Sequence, residues 1–397
     1  MKADRLTGGA STKTKINKQQ INNMKTFKIS KYLSLGLTLA GAAFTPGLHA
    51  TETKVFIEGG SASSSVIAYE LAQLFGTGTI TTNGSVSGNV YRFSGTSTLP
   101  VFVNNNYNPL TIDVNLANGA IAGLKSLVSG NPGNGDTNYL GTKTAVTFVD
   151  SATSPEAVGI DATANNIDTD YLTYVVPLVF AKNTNSIDTA PITNLTARQA
   201  VTLETSLNKT TFFGGTSTNV VYFVGRNNNG AVRTEIDLAI NNSKTIKSYF
   251  TNAPGGAPVL DTNPTDPGLA SASKVVAAIQ GITNSIGTIA VQNLTVSSGP
   301  ALVPLSYEGV PYSETNVING SYALWGYEHY YFIPQGSGNG SPIPGDAQQA
   351  VLDTLYSNVT NNVVLQAGVY NGNFIPAPKL KVKRTADGGP IIPLANY

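Results

Sequence analysis

The stretch that most constrains this chain is Val221-Tyr222-Phe223-Val224-Gly225-Arg226, followed by Asn227-Asn228-Asn229-Gly230 and a helical pattern from about Ala231. An apolar run suited to a buried strand ends in one arginine, a polar turn follows, and a helix begins. A helix N-terminus presents unpaired N–H groups and the positive end of its dipole, so anions are stabilised there. An arginine beside it adds a rigid, forked donor that suits oxyanions. The junction reads as half of an anion-binding cleft, or as the remnant of one.

The same strand–turn–helix order recurs along the chain. Lys54–Glu58 is strand-like, Gly59-Gly60-Ser61-Ala62-Ser63-Ser64-Ser65 is a turn rich in N–H and hydroxyl donors, and Val66–Phe75 has helical spacing. Ser94-Gly95-Thr96-Ser97-Thr98 is expected to be a second polar turn. Leu110–Leu116 is strand-like and Ala117–Val128 helical, and Ala145–Val149 reads as a buried strand running into Asp150-Ser151-Ala152-Thr153. Tyr171–Ala181 is a strong buried strand, and Thr196 with Gln199 fits a capping box. Helices are expected from Ala231 to Phe250, over Ser271–Gln280 and over Asp346–Asn358, with a strand at Ser285–Val291. The tail Phe374–Tyr397 is expected to pack peripherally. Alternating strands and helices indicate an α/β fold.

Residues 1–50 stand apart. From Met24 a charged segment with Lys25, Lys28 and Lys31 precedes the apolar Tyr32–Phe44 and then Leu48-His49-Ala50. This is the pattern of a secretory signal peptide cleaved after Ala50, with Met24 as the expected start. The apolar part is shorter than the ~20 residues that a membrane-spanning helix needs. Residues 1–50 hold eight of the 24 Lys/Arg and one of the 23 Asp/Glu, so residues 51–397 carry a net charge near −6. No general basic field exists for nucleic acid or an anionic membrane, so any anion must be held by local geometry. The absence of cysteine excludes disulfides, thiolate sites and a lipid anchor on cysteine.

Catalytic chemistry finds little support. His329 is the only histidine after residue 50 and lies among tyrosines in the aromatic segment Ser321–Phe332, where packing is its expected role. There is no Gly-x-Ser-x-Gly nucleophile turn, no Walker A sequence and no acid/histidine group at metal-ligand spacing. Prolines 334, 342 and 344 make the glycine run 336–340 a loop, not a dinucleotide site. No enzyme activity, cofactor or metal is expected.

In order and spacing, the motifs resemble the periplasmic phosphate-binding family of ABC importers over about residues 55–335. Gly59–Ser65 resembles the family's first ligand turn, and Tyr91-Arg92-Phe93-Ser94-Gly95-Thr96-Ser97 its second. Val176-Pro177-Leu178-Val179-Phe180 resembles the strand that approaches the second lobe, Asn194-Leu195-Thr196 a helix start, and Val224-Gly225-Arg226 the arginine strand. Ser285–Ala290 and Asn319–Trp325 resemble segments near the return to lobe one. The chain departs from the family at two points. Asn228 stands near the place of an acid, with Gly230-Ala231-Val232-Arg233 where the family has hydroxyl donors, and Asp150 falls about two residues early.

The resemblance implies a divergent member with an α/β, two-lobed, type II periplasmic-binding-protein-like fold. Each lobe would be a mixed sheet flanked by helices, with the ligand cleft between lobes. Lobe 1 is expected at 51–175, lobe 2 at 176–320, and a return to lobe 1 with the tail at 321–397. It further implies an exported, monomeric solute-binding protein, periplasmic or extracellular. Its ligand would be inorganic phosphate or another small oxyanion, serving an ABC permease or sensing. The implied contacts are Gly60, Ser61, Ala62, Ser63, Ser94, Gly95, Thr96, Ser97, Asp150, Ser151, Arg226, Asn228 and Gly230. The alternative is a secreted structural or adhesive protein that kept this fold without ligand transport. The Asn/Thr/Ser/Gly-rich composition and the 12% charged residues favour it.

Overall fold

The computed structural model describes residues 52–61, 63–86, 88–129, 138–186, 188–295, 299–334, 345–360 and 373–395. The expected signal peptide, Ala62 and the 336–340 loop lie outside the described residues. Among the described residues, no helix is long and apolar enough to cross a membrane.

The first part of the chain runs β1 (Thr53–Gly59), α1 (Ser64–Gln73), β2 (Thr79–Ser85), β3 (Val90–Thr96), α2 (Pro100–Val103), β4 (Leu110–Asn115), α3 (Ala120–Ser129) and β5 (Phe148–Ser151). The middle part runs β6 (Leu172–Asn183), β7 (Asn194–Leu195), α4 (Ala197–Thr205), β8 (Asn208–Lys209), β9 (Val220–Val224), α5 (Ala231–Ala239), β10 (Tyr249–Phe250), β11 (Val259–Leu260), α6 (Ala272–Gly281) and β12 (Ser285–Ala290). The last part runs β13 (Leu302–Pro304), β14 (Ser306–Tyr307), α7 (Glu314–Ile318), β15 (Trp325–Tyr331), α8 (Asp346–Thr360), β16 (Ile375–Pro376), β17 (Val382–Arg384) and β18 (Ile391–Pro393).

One large mixed sheet has the order β2-β3-β4-β1-β5-β15-β6-β12-β9-β8. β1 pairs in parallel with β4 and β5, and β15 is inserted antiparallel between β5 and β6. β6 is the hinge of this order. Tyr174–Pro177 pair with β15, while Leu178–Lys182 pair with β12. The 12-residue strand is buried beyond its first residue, as a near-continuous apolar run requires when both faces are covered.

Several local predictions hold at the level of individual atoms. Thr196 and Gln199 form the reciprocal capping box of α4. The helix expected over Ser271–Gln280 forms as α6. His329 is half-buried between Tyr327 and Tyr331, with ring centroids 6.1 and 5.2 Å away.

Others are corrected. The helix expected over Ala231–Phe250 stops at Ala239, because Asn241 adopts a left-handed φ of 57° and Asn242 turns its side chain to Glu204, 2.7 Å away. Ser94, Gly95 and Thr96 are not a turn. They lie in β3, where Ser94 and Gly95 pair with both β2 and β4 and Thr96 with β2, and β2 itself was hidden in a polar, wholly exposed Thr-rich segment. Nor is the tail peripheral: Leu380, Val382 and Arg384 are buried.

Lys182 shows how a charge can stand inside β6. Its Nζ donates to the carbonyls of Thr189, Ala190 and Ile192 at 2.5, 2.8 and 2.5 Å, closing the turn that follows the strand. Burial lowers its pKa from the usual lysine value. Lys182→Met leaves these carbonyls without their donor. The expected loss is about 2 kcal/mol, read as a shifted denaturant midpoint, with faster proteolysis at Thr189–Ile192.

Candidate functional site

The candidate site forms where the C-terminal ends of β1 and β5 meet the end of β9. Gly59 lets the first two close up: a Cβ there would stand 2.5 Å from the Asp150 carbonyl oxygen. Gly60 N–H then donates to that same carbonyl at 3.1 Å. The turn folds back so that Ser63 Oγ lies 2.8 Å from the Gly60 carbonyl and also bonds the Asp150 carboxyl. Ser61 points the other way, towards Arg226.

Arg226 is 4% exposed. Its Nε donates to the Leu269 carbonyl at 3.1 Å, Nη2 to the Ala270 carbonyl at 3.0 Å, and Nη1 reaches Ser61 Oγ at 3.4 Å. None of these partners is charged. Among the described residues, no carboxylate lies within ion-pair distance of it. Burial lowers its pKa to about 10, with Asp266 pulling weakly the other way. The guanidinium stays charged at neutral pH and lacks a counter-ion, which is an unfavourable state in a desolvated site.

The two sides touch directly. Gly119, between β4 and α3, has φ 92°, and a Cβ on it would collide with the Asn229 carbonyl oxygen. Ile121 N–H donates to that same carbonyl at 3.4 Å. Gly119→Ala both strains the left-handed backbone and pushes Asn229 away. The expected result is a separated junction with at least tenfold weaker anion binding in calorimetry. Stability should fall as well, by more than the ~1 kcal/mol scale of an unstrained glycine substitution, read as a lower denaturant midpoint.

Asp150 is wholly buried, and its pKa is raised to about 7 by desolvation, with the Ser63 hydrogen bond opposing. Glu328 on β15 faces it and is pushed well above the carboxylate range by burial and by Asp150. Two carboxyls so placed retain a proton between them near neutrality. The site thus joins a buried cation on one side to a proton-holding acid pair on the other.

Gly60, Ser61, Ser63, Asp150, Arg226 and Gly230 are brought together. Gly230 caps α5 without a side chain, and a Cβ on it would stand 2.9 Å from Arg226 Cβ. Ser151 is adjacent, but its hydroxyl is bound to Thr153 N and O at 3.1 and 2.8 Å. Asn228 is exposed, its N–H held by Asp266 at 2.5 Å and its amide by the Thr265 carbonyl at 2.8 Å. Ser94, Gly95, Thr96 and Ser97 are elsewhere. Gly95 pairs with Leu110, level with Thr53, whereas the site lies beyond Glu58, level with Asn115. Five residues of strand separate these levels, roughly 17 Å at about 3.3 Å per residue. Ser97 Oγ instead bonds the Leu74 carbonyl at 2.6 Å.

Sequence reasoning missed Asp266, Gly119 and Glu328. Asp266 sits in the Pro/Gly/Asp loop 252–268, where no periodicity reveals which acid turns inward. Gly119 precedes a helix like any ordinary turn glycine. Glu328 carries the one usable signal, a lone acid within an aromatic strand.

No family model matches the chain, and no curated protein matches it. Solved structures do. A candidate phosphate ABC transporter substrate-binding protein with bound phosphate from Clostridium perfringens aligns over 82% of this chain and 100% of its own, at 12% identity and TM-score 0.52. An ABC-type phosphate transport receptor from Vibrio cholerae covers 82% and 100% at 13% identity and TM-score 0.48. A phosphate-binding protein from Stenotrophomonas maltophilia covers 82% and 90% at 13% identity and TM-score 0.46. At such identity the first of these speaks to architecture alone. With its large mixed sheet flanked by helices, the chain has the α/β fold of a periplasmic-type substrate-binding protein.

Proposed function

We propose that this is an exported solute-binding protein that holds a small oxyanion, phosphate or phosphate-like, between the two sides of the junction. The observation that carries the reading is Arg226, a buried guanidinium with neutral partners only, facing Ser61 across the junction. An anion would supply the missing counter-charge, and water exclusion would strengthen each bond to it. Gly60, Ser61, Ser63 and Gly230 would line the ligand beside Arg226, with Asp150 as the group sensitive to its protonation. The lobes would be 51–175 and 176–320, with 321–397 returning to the first. Delivery would be to an ABC permease or a sensor, the protein acting as a monomer in the periplasm or outside the cell, without enzymatic activity. Titration calorimetry with phosphate and with sulfate tests this reading; absence of heat with both sinks it.

A second reading, a secreted structural or adhesive protein, draws on one observation. Asp266 already occupies the Asn228 N–H in the arginine loop, and no hydroxyl donor follows it there. Concentration-dependent self-assembly of purified protein, together with silent calorimetry, favours that reading over the first.

A further inference from the structure

The C-terminal hairpin makes contacts on both sides of the junction. After β16 the tail reaches β17 and β18, which pair with each other and enclose the turn Thr385–Pro390. Asp387 in that turn accepts the Ser154 N–H at 2.6 Å, four residues after Asp150. Gly388, with φ 62°, presses its backbone so closely on α5 that a Cβ would collide with Leu238. α5 is the helix that starts at Gly230 beside Arg226. Arg384 is stacked 4.3 Å over the Trp325 ring, its Nη1 donates to the Gly389 carbonyl at 2.6 Å, and its Nη2 donates to the Ala323 carbonyl. One short turn therefore fastens the segment after Asp150 to the helix after Arg226.

The fastening is made of two acids. Asp387 faces Glu235, which lies on α5 and is 2% exposed. The groups around them are Arg384 from β17, Glu328 and Tyr331 from β15, and the hydroxyl of Thr153. Against two carboxyls, and Glu328 beyond them, stands one guanidinium whose Nη1 and Nη2 already donate to carbonyl oxygens. Like charges this close cannot both be borne in a buried site, so the pair needs a proton. Glu235 packs closely on the backbone of Gly326, where a Cβ would stand 2.9 Å from Glu235 Cγ.

We propose that the Thr385–Pro390 turn is a proton-operated strap, shut on α5 and Ser154 while Glu235 and Asp387 share a proton and released when that proton leaves. Release frees the two sides of the junction to separate, whether or not a ligand sits between them. Burial raises the pKa of both acids, so release comes as pH rises.

Hydrogen exchange read by mass spectrometry on the full chain tests the strap at pH 5.5 and pH 9, after correction for intrinsic exchange. The expected result is at least a tenfold loss of protection over 385–395 at pH 9, with β1 unchanged. Glu235→Gln, which keeps a donor to Asp387 but cannot ionise, should stay protected at both pH values; Asp387→Asn replaces it if that variant does not fold. Equal wild-type protection at both pH values overturns the proposal. So does loss that extends to β1, or a neutral variant that opens as the wild type does.

Discussion

Between pH 6.5 and pH 8.5 the melting temperature of this protein is expected to fall by on the order of 10 °C. The cause is the set of acids that folding buries. Glu204, Glu235 and Glu328 are raised well above the usual carboxylate range, Asp150 to about 7, and Asp237 and Asp387 are raised as well, in each case first by desolvation. A carboxyl with a raised folded pKa keeps its proton in the folded chain after the unfolded chain has lost it near pH 4. Stability then declines as pH rises towards the folded value, at about 1.4 kcal/mol per pH unit and per group. Asp150 alone accounts for roughly 4 kcal/mol by the time it has ionised. A single acid still protonated between pH 6.5 and pH 8.5 adds about 3 kcal/mol, at a few degrees per kcal/mol.

His329 works in the opposite direction, but in another window. Burial lowers its pKa to about 4, so it is neutral in the folded chain while the unfolded chain takes up a proton below 6.5. That penalty grows from pH 6.5 down to pH 4 and vanishes above 6.5, where the imidazole is neutral in both states. Glu52 and Asp188, both lowered, act only below about pH 4.5. Scanning calorimetry at fixed ionic strength across pH 5.5–8.5 decides the matter. A flat or rising profile would remove the acids from the account, and Glu328→Gln should flatten the fall.

The second large effect concerns Arg226. In Arg226→Met the affinity for phosphate or sulfate should drop at least a hundredfold, the scale of removing one partner from a buried charge pair. The same variant in anion-free buffer should melt within a few degrees of the wild type. Its lost carbonyl hydrogen bonds are offset by removal of a buried, uncompensated charge. In the wild type, anion at a hundred times its Kd should add about 2.7 kcal/mol of stability, and none in the variant. Equal anion-dependent stabilisation of both proteins would place the ligand elsewhere.

Most of the architecture could be read from periodicity, because burial dictates it. The apolar runs of β1, β6, β9 and β12 and the capping box of α4 were legible because each answers to a local rule. β2 was not, since a polar, exposed edge strand has the composition of a loop. The candidate site was half legible. Arg226, Gly60 and Asp150 lie at strand ends, where the α/β pattern puts ligands. Ser94–Ser97 resembled a ligand turn in sequence, yet β3 runs antiparallel to β4 and carries those residues to the far end of the sheet. Only pairing direction separates the two outcomes, and composition does not encode it. The carboxyl pairs were hidden for a similar reason. Asp150 and Glu328 are 178 positions apart and become neighbours only because β15 returns to lie beside β5.

β6 gives this molecule an indivisible character. Its first half pairs with β15 and its second half with β12, so it joins the two flanks of the one large sheet. No cut in the chain therefore yields two fragments that each own a full set of strands, and neither side of the junction can be lent to another protein as a module. Damage to residues 172–183 would reach both sides at once. Variation that alters ligand preference while sparing the fold must accumulate in the turns at the strand ends, where the Arg226 loop already differs from the phosphate-binding pattern.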